Sequence, residues 1–348
     1  MGSLLLNTCT GRRGITRLAL LCCSLLMVPM AQADTRIRFA ADWAFQGPQA
    51  PFLLPHANGC YADNDLNVNT TRGFGSGDTI TKVSSNAVDV GFADINAMLE
   101  FNARHPNDAL IAIFMIYDAA PLSIIARKDK GVSSPADLVG KSIAAPPGDA
   151  SRRLFSLLAN ANDIDADSIN WINVSPEVRE SLLARGRTDA IAGHSFTGFI
   201  GAKAAGIDED NLAVLRFSEH GVPLYGSALI ARPAFAEANS EGVTAFIGCI
   251  AQAFMDSARD PDNAIQVLRR QEPLTDHDVE KERLMLSIDW SVATEDVIEN
   301  GMSQIDMERL AGTLRETAAI LDIPVPEASA VYTDAYLPPH EQLLWSAE

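Results

Sequence analysis

The sequence predicts a two-lobed α/β protein, and three observations carry that expectation. Short apolar runs of strand length alternate with helical stretches from Arg36 to Ala231. The alternation falls into two blocks, the second nested between the first and an all-helical finish, so one lobe reads as inserted in the other. Loops that carry one aromatic and one polar residue follow the strands, where open α/β sheets place their ligands.

The start of the chain is set aside first. Arg12, Arg13 and Arg17 precede an apolar run over 18–30, and Ala31-Gln32-Ala33 supplies small residues before Asp34. This is the pattern of a secretory signal peptide over 1–33, cleaved near Ala33. The apolar run is short for a membrane span. General export is expected rather than the twin-arginine route, and Cys22 lacks the small preceding residue of a lipid anchor.

The 348 residues carry 45 acidic and 27 basic side chains, a net charge of −18. The leader holds three arginines and no acid, so the remainder is more acidic still. Such a surface argues against nucleic acid and anionic membranes as partners. It does not exclude an anionic ligand, because donors inside a cleft outweigh a screened distant surface. Cys9, Cys22 and Cys23 lie in the leader, leaving Cys60 and Cys249. Cys249 stands in an apolar helical pattern, and two buried free thiols are expected.

Along the remainder, strands are expected over 36–41, 66–71, 88–93, 110–117, 122–127, 141–145, 169–174, 189–192, 212–217 and 225–231. Helices are expected over 50–59 (delayed or kinked by Pro55), 95–105, 134–139, 150–161, 176–185 and 196–205. After Pro233, Val243, Phe246, Ile247, Ile250 and Phe254 mark one face of a helix. Helices over 264–270, 279–287 and 307–321 follow. The lobes would be 34–118 with 227–348, and 119–226, the chain crossing near 117–121 and 221–226.

The most distinctive stretch is Arg72-Gly73-Phe74-Gly75-Ser76-Gly77-Asp78, followed by Val88-Asp89-Val90-Gly91-Phe92-Ala93-Asp94. It reads as a glycine turn, a helix and a buried strand ending on a carboxylate. Ser76 and Asp78 suit the helix cap, and the amides there would point at an electron-rich group in the cleft. Asp94, Asp118 and Asp149 would instead favour a ligand with donors.

A catalytic reading finds little. Six histidines are scattered, and Gly193-His194-Ser195-Phe196-Thr197-Gly198 is not a nucleophile elbow. No P-loop, dinucleotide fingerprint or Cys/His metal spacing occurs. No catalytic residue, metal site or cofactor is expected. A secreted enzyme using His194 or Asp94 remains the outlying alternative.

Several phrases resemble one family. They are Trp43 after the first strand, Gly59-Cys60-Tyr61-Ala62-Asp63-Asn64-Asp65-Leu66-Asn67-Val68, the two stretches quoted above, and Ser134-Pro135-Ala136-Asp137-Leu138-Val139-Gly140-Lys141. The chain is similar to the periplasmic solute-binding proteins of ABC importers, in the group for nitrate, sulfonate, taurine and thiamine-pyrimidine precursors. Cys60 and Asp65 depart from that family's usual Tyr and Gly. The Cys-rich motif of the pyrimidine-synthesising relatives does not occur.

The resemblance implies a type II periplasmic binding fold, with two α/β lobes joined by two hinge strands and a ligand cleft between them. It implies a periplasmic, monomeric receptor that hands a small molecule to an inner-membrane ABC permease. The ligand would be a small, possibly pyrimidine-like heteroaromatic solute, or alternatively a sulfonate, nitrate or carboxylate anion. Trp43, Phe45, Gln46, Gly75, Ser76, Asp94 and Tyr117 are expected on one wall. Pro147, Asp149, His194, Phe196 and Tyr225 are expected on the other or at the hinge.

Overall fold

Apolar residues at both ends of the chain build the first sheet. The computed structural model describes residues 34–346, so the leader expected over 1–33 lies outside the described residues. Strands β1 (Thr35–Ala40), β2 (Leu66–Thr71), β3 (Val90–Asp94), β4 (Ile111–Met115) and, much later, β10 (Ser227–Ala231) form a sheet in the order β2-β1-β3-β10-β4. The intervening β5 (Leu122–Arg127), β6 (Ser142–Ala145), β7 (Asn170–Asn173), β8 (Ala190–His194) and β9 (Leu212–Arg216) form a second, in the order β7-β6-β8-β5-β9. Each sheet carries one antiparallel strand, β10 in the first and β5 in the second.

Both faces of each sheet are covered, which is why the central strands read as continuous apolar runs. In β1, Ile37 and Phe39 enter one core with Phe52, Phe92 and Phe246, while Ala40 enters another with Ile80 and Ile230. The helices come from the βα connections and the C-terminal third. They are α1 (Ala50–Ala57), α2 (Cys60–Asp63), α3 (Ser76–Ser84), α4 (Ile95–Arg104), α5 (Ala150–Arg153), α6 (Phe155–Ala161), α7 (Arg179–Ala184) and α8 (Ser195–Ala204). The finish adds α9 (Pro233–Ala238), α10 (Ser240–Arg259), α11 (Pro261–Gln271), α12 (His277–Ser287), α13 (Glu295–Asn300), α14 (Met307–Leu321) and α15 (Ala328–Val331). Among the described residues no helix is long and apolar enough to cross a membrane.

Several elements differ from expectation for local reasons. The stretch 134–139 is a 3-10 turn (Pro135–Leu138) held by a reciprocal cap between Ser134 and Asp137. The stretch 176–185 begins with another 3-10 turn and becomes α-helical at Arg179, because the turn opens on Pro176. Pro55 sits inside α1 without ending it; the carbonyl it leaves without an i+4 donor is that of Pro51, in the first turn.

The thiol expectation is overturned: Cys60 and Cys249 form a disulfide that ties α2 to α10, with Cα atoms 5.9 Å apart. The apolar pattern around Cys249 concealed it, since a half-cystine packs like any small hydrophobe.

The chain passes between the sheets twice, at 116–121 and 217–226. The two passages pair with each other: Gly226 N–H donates to Tyr117 O at 2.8 Å, and Ala120 N–H to Leu224 O at 2.9 Å.

Candidate functional site

The carboxyl ends of β1, β6 and β8 converge, and their following loops meet across the space between the lobes. Asp42, Trp43, Gln49, Gly75 and Ser76 from the first lobe face Asp149, Ala150, Arg179, His194 and Thr197 from the second. The free space they enclose is about 10 Å³, room for about one water molecule. An open depression of about 710 Å³ is lined wholly by residues between Asp296 and His340, so it belongs to one lobe's surface.

The walls touch at several points. Gly77 N–H donates to Gly148 O at 2.9 Å. Gly75, at φ 109°, lies where a Cβ would come within 2.5 Å of Gly148 O, so both its conformation and this approach require glycine. Arg153 Nη2 reaches Glu100 Oε2 at 2.9 Å, and Arg72 Nη2 reaches Glu177 Oε1 at 2.6 Å.

Arg179 is the largest fully buried side chain of the site, 1% exposed. Its guanidinium lies 4.8 Å from the Trp43 ring centroid, on the face of the indole. Nη1 donates to Ala192 O at 2.9 Å and reaches Asp149 Oδ2 at 3.5 Å; Nε donates to Glu180 Oε1 at 3.0 Å. A Cβ on Gly193 would sit 2.1 Å from Nη1, so the glycine opens the path along β8.

Three buried aspartates stand close to one another here, and of them Asp149 contacts this arginine. Asp42 accepts from Gln49 Nε2 at 3.1 Å and stands 3.9 Å from His194 Nδ1. Asp149 caps α5, accepting from Arg152 N. Asp94 caps α4, its Oδ1 accepting from Asn96 N at 2.8 Å and Ala97 N at 3.1 Å, while its own N–H donates to Ser76 Oγ. Burial pushes Asp42 up to about 7, helped by Asp149 and Asp94 and opposed by Gln49. Burial pushes Asp94 up to about 6 against its amide donors, and Asp149 up to about 6 against Arg179. Burial, with Arg179 nearby, pushes His194 down to about 3, so its ring is neutral above that. Among the described residues no set of His, Cys, Asp or Glu is arranged to hold a metal ion.

The residues expected at the site divide. Trp43, Gly75, Ser76, Asp149 and His194 line the space together. Asp94 lies behind Ser76. Tyr117 is fully buried at the crossing, edge-on to Phe92, Phe196 and His194, with Phe196 beside it in the core. Phe45 packs toward the cluster of Ala50 and Leu284, and Gln46 opens the 3-10 turn before α1. Pro147 is exposed on an outer groove with Phe74 and Gly77. Tyr225 lies under Arg309, whose Cζ is 3.9 Å from the ring centroid.

Two local expectations are corrected. Neither Ser76 nor Asp78 caps α3, whose N-cap is Gly75. Ser76 Oγ is turned to Asp94, and Asp78 pairs with Lys82 at 2.6 Å. The Gly77 amide does not point at a ligand position but is bonded to the opposite wall. Asp42, Gln49, Arg179 and Thr197 were not anticipated. Asp42 carried a signal, since it directly precedes Trp43; Arg179 carried none, being one arginine on a short helix.

A family model described as "NMT1/THI5 like" matches residues 48–264, more than half of the chain. The formylaminopyrimidine-binding protein of Halalkalibacterium halodurans is 21% identical over 240 residues, 68% of this chain and 71% of that protein. The 4-amino-5-hydroxymethyl-2-methylpyrimidine phosphate synthase of Legionella pneumophila is 23% identical over 154 residues, 44% of this chain and 48% of that protein. Among solved structures, the alkanesulfonate-binding protein SsuA from Xanthomonas axonopodis pv. citri, bound to MOPS, shares the fold. Its TM-score is 0.66 at 18% identity, covering 87% of this chain and 100% of that one.

Proposed function

We propose a function from one premise: the chain belongs to the NMT1/THI5-like family. It is the extracytoplasmic solute-binding component of an ABC importer, which captures a small, pyrimidine-like heteroaromatic solute between its lobes and delivers it to a membrane permease. The observation that carries this reading is the polar space between the two sheets, built from the carboxyl ends of strands in both lobes and walled by Trp43. The relative named for formylaminopyrimidine binding supports the solute class. The receptor acts as a monomer in the periplasm after removal of the leader, and the Cys60–Cys249 disulfide suits that oxidising compartment. Its lobes are 34–118 with 227–348, and 119–226.

The second reading keeps the role and makes the ligand an anion, and the likeness to an alkanesulfonate-binding structure is the observation in its favour. An enzymatic role has less support: the synthase relative is matched over 48% of its length, and His194, its side chain 13% exposed, is neutral and, among the described residues, hydrogen-bonded to no hydroxyl that could act as a nucleophile.

A thermal-shift screen over pyrimidines, sulfonates, aromatic acids and amines tests the role, because a ligand at about 100 times its Kd stabilises by about 2.7 kcal/mol. A solute that raises the melting temperature supports the receptor reading, and a flat response across the panel counts against it. Trp43→Ala removes the indole wall and should weaken ligand binding by about tenfold or more, read by calorimetry, while the protein remains folded.

A further inference from the structure

Carboxylate and amide acceptors are concentrated at the cleft. Asp42, Asp94 and Asp149 are each under one-tenth exposed; Asp149 and Asp94 both act to raise Asp42, and Asp149 acts to raise Asp94. Gln49 lines the same space at 2% exposure, its Nε2 spent on Asp42. Asp94 Oδ2 and Gln49 Oε1 are buried with no hydrogen-bond partner among the described residues. Both are acceptors, and a buried acceptor left unpaired costs about 1–3 kcal/mol. Two donors that an anion could use are already engaged, and the Tyr117 and Ser195 hydroxyls, unpaired among the described residues, are neutral groups that accept as well as donate. Arg179 is bound to Ala192 O, Asp149 and Glu180, and the Gly77 amide to Gly148 O.

Resting on the receptor reading above, we propose that this cleft takes a planar nitrogen donor, an amidinium, guanidinium or protonated amino-heterocycle, and not an anion. Arg179 displays the chemistry with the protein's own atoms: a planar cation on the Trp43 face, with a carboxylate at its edge. A ligand of the same shape would meet Asp42, Gln49 and Asp149 with its N–H groups and lie against the aromatic wall, with Asp94 adding negative charge from behind Ser76.

Capture is then linked to protons. The charged and titratable groups around the carboxyls are Arg179 and Glu180 on α7, Arg152 on α5, His194 at the end of β8 and Tyr117 at the crossing. His194 stays neutral and Tyr117 protonated near neutral pH, so the carboxyls are the groups that change charge. As pH rises from 5 to 8 they lose protons, and the site becomes a stronger counter-charge for a cation and a poorer one for an anion.

The test uses probes on one ring: benzamidine, cationic throughout this range, benzenesulfonate, anionic throughout, and neutral benzamide, titrated calorimetrically into the full exported chain at pH 5, 6.5 and 8. The expected result is that benzamidine binds tightest and gains about tenfold or more between pH 5 and pH 8, while benzenesulfonate is weakest. Asp149→Asn, which retains a capping oxygen for α5, should lower benzamidine affinity by about tenfold and flatten its pH dependence, with far-UV circular dichroism reporting the fold. Benzenesulfonate binding more tightly than benzamidine to the unmodified protein overturns the proposal and leaves the receptor reading standing. So does benzamidine binding that is independent of pH. If the probes fail and the solute found by thermal shift is an anion, the proposal is likewise overturned, and a donor cation supports it. If no solute binds at all, the receptor reading falls and takes the proposal with it.

Discussion

Asp42 illustrates how one residue can serve binding at the expense of stability. Its carboxyl, 3% exposed, is pushed up to about 7 from an ordinary value near 4. Between those limits the folded protein holds a proton that the unfolded chain releases. Its contribution to stability is therefore full below about pH 4 and is lost as pH rises through about 7. Asp94 and Asp149, pushed up to about 6, act in the same direction. His194 acts oppositely: with its folded value near 3, its contribution is present above its ordinary 6.5 and is lost as pH falls toward 3. Asp42→Asn removes the buried charge while an amide oxygen can still accept from Gln49. It should stabilise the ligand-free protein at pH 8 by about 2 kcal/mol, with the gain shrinking toward zero near pH 4. Scanning calorimetry at both pH values checks this; an equal or larger gain at pH 4 would mean that Asp42 is not a buried charge at pH 8.

Elements explain what could be anticipated from the chain and what could not. Most central strands were legible because they are apolar over their own length, whereas β2 (LNVNTT) and β7 (NWIN) at sheet edges are half polar. The helix α14 was legible over its whole span, 307–321, from its helical spacing. Trp43, Asp149 and His194 could be named because loops after strands face the space between lobes. Arg179 could not, since its position depends on Gly193, fourteen residues later on another element, leaving room beside the Ala192 carbonyl. Asp94 was legible as a strand-end carboxylate directly before a helix expected from Ile95, and the structure adds that it caps that helix. The disulfide failed for the same non-local reason: 189 residues separate Cys60 from Cys249, and neither local pattern names its partner. It closes a long loop between α2 and α10, so its removal should release much chain entropy in the unfolded state. Cys60→Ser with Cys249→Ser should lower stability by roughly 2–5 kcal/mol in urea titration. The Tyr61–Phe246 stack beside the bridge should keep the double variant folded. Loss below about 0.5 kcal/mol would show that the apolar packing between α2 and α10 already holds them together.

At the scale of the molecule, closure of the lobes decides how tightly a solute is held. The solute must offset the cost of bringing two lobes together, and contacts that the lobes make with each other reduce that cost before any solute enters. Three ion pairs bridge the lobes among the described residues, Arg72–Glu177, Arg153–Glu100 and Lys203–Glu282, and the first two are not equivalent. Arg72 and Glu177 have side chains 30% and 50% exposed, so water and salt screen the pair and its worth is near zero. Arg153 and Glu100 are 28% and 9% exposed, and Glu100 also holds Arg104 on its own helix, so Arg153 docks on a carboxylate already fixed in place. Packing adds to this: Ile320 and Leu321 at the end of α14 lie against the core of the second lobe. Arg153→Ala should therefore favour separated lobes, weaken solute binding roughly three- to tenfold and enlarge the ligand-free radius of gyration in small-angle scattering. Arg72→Ala should change affinity less than about twofold. A cycle pairing Arg153→Ala with Glu100→Gln isolates the contact: a coupling of about 1 kcal/mol marks it as a latch between the lobes, whereas strict additivity would assign closure to the remaining contacts between them.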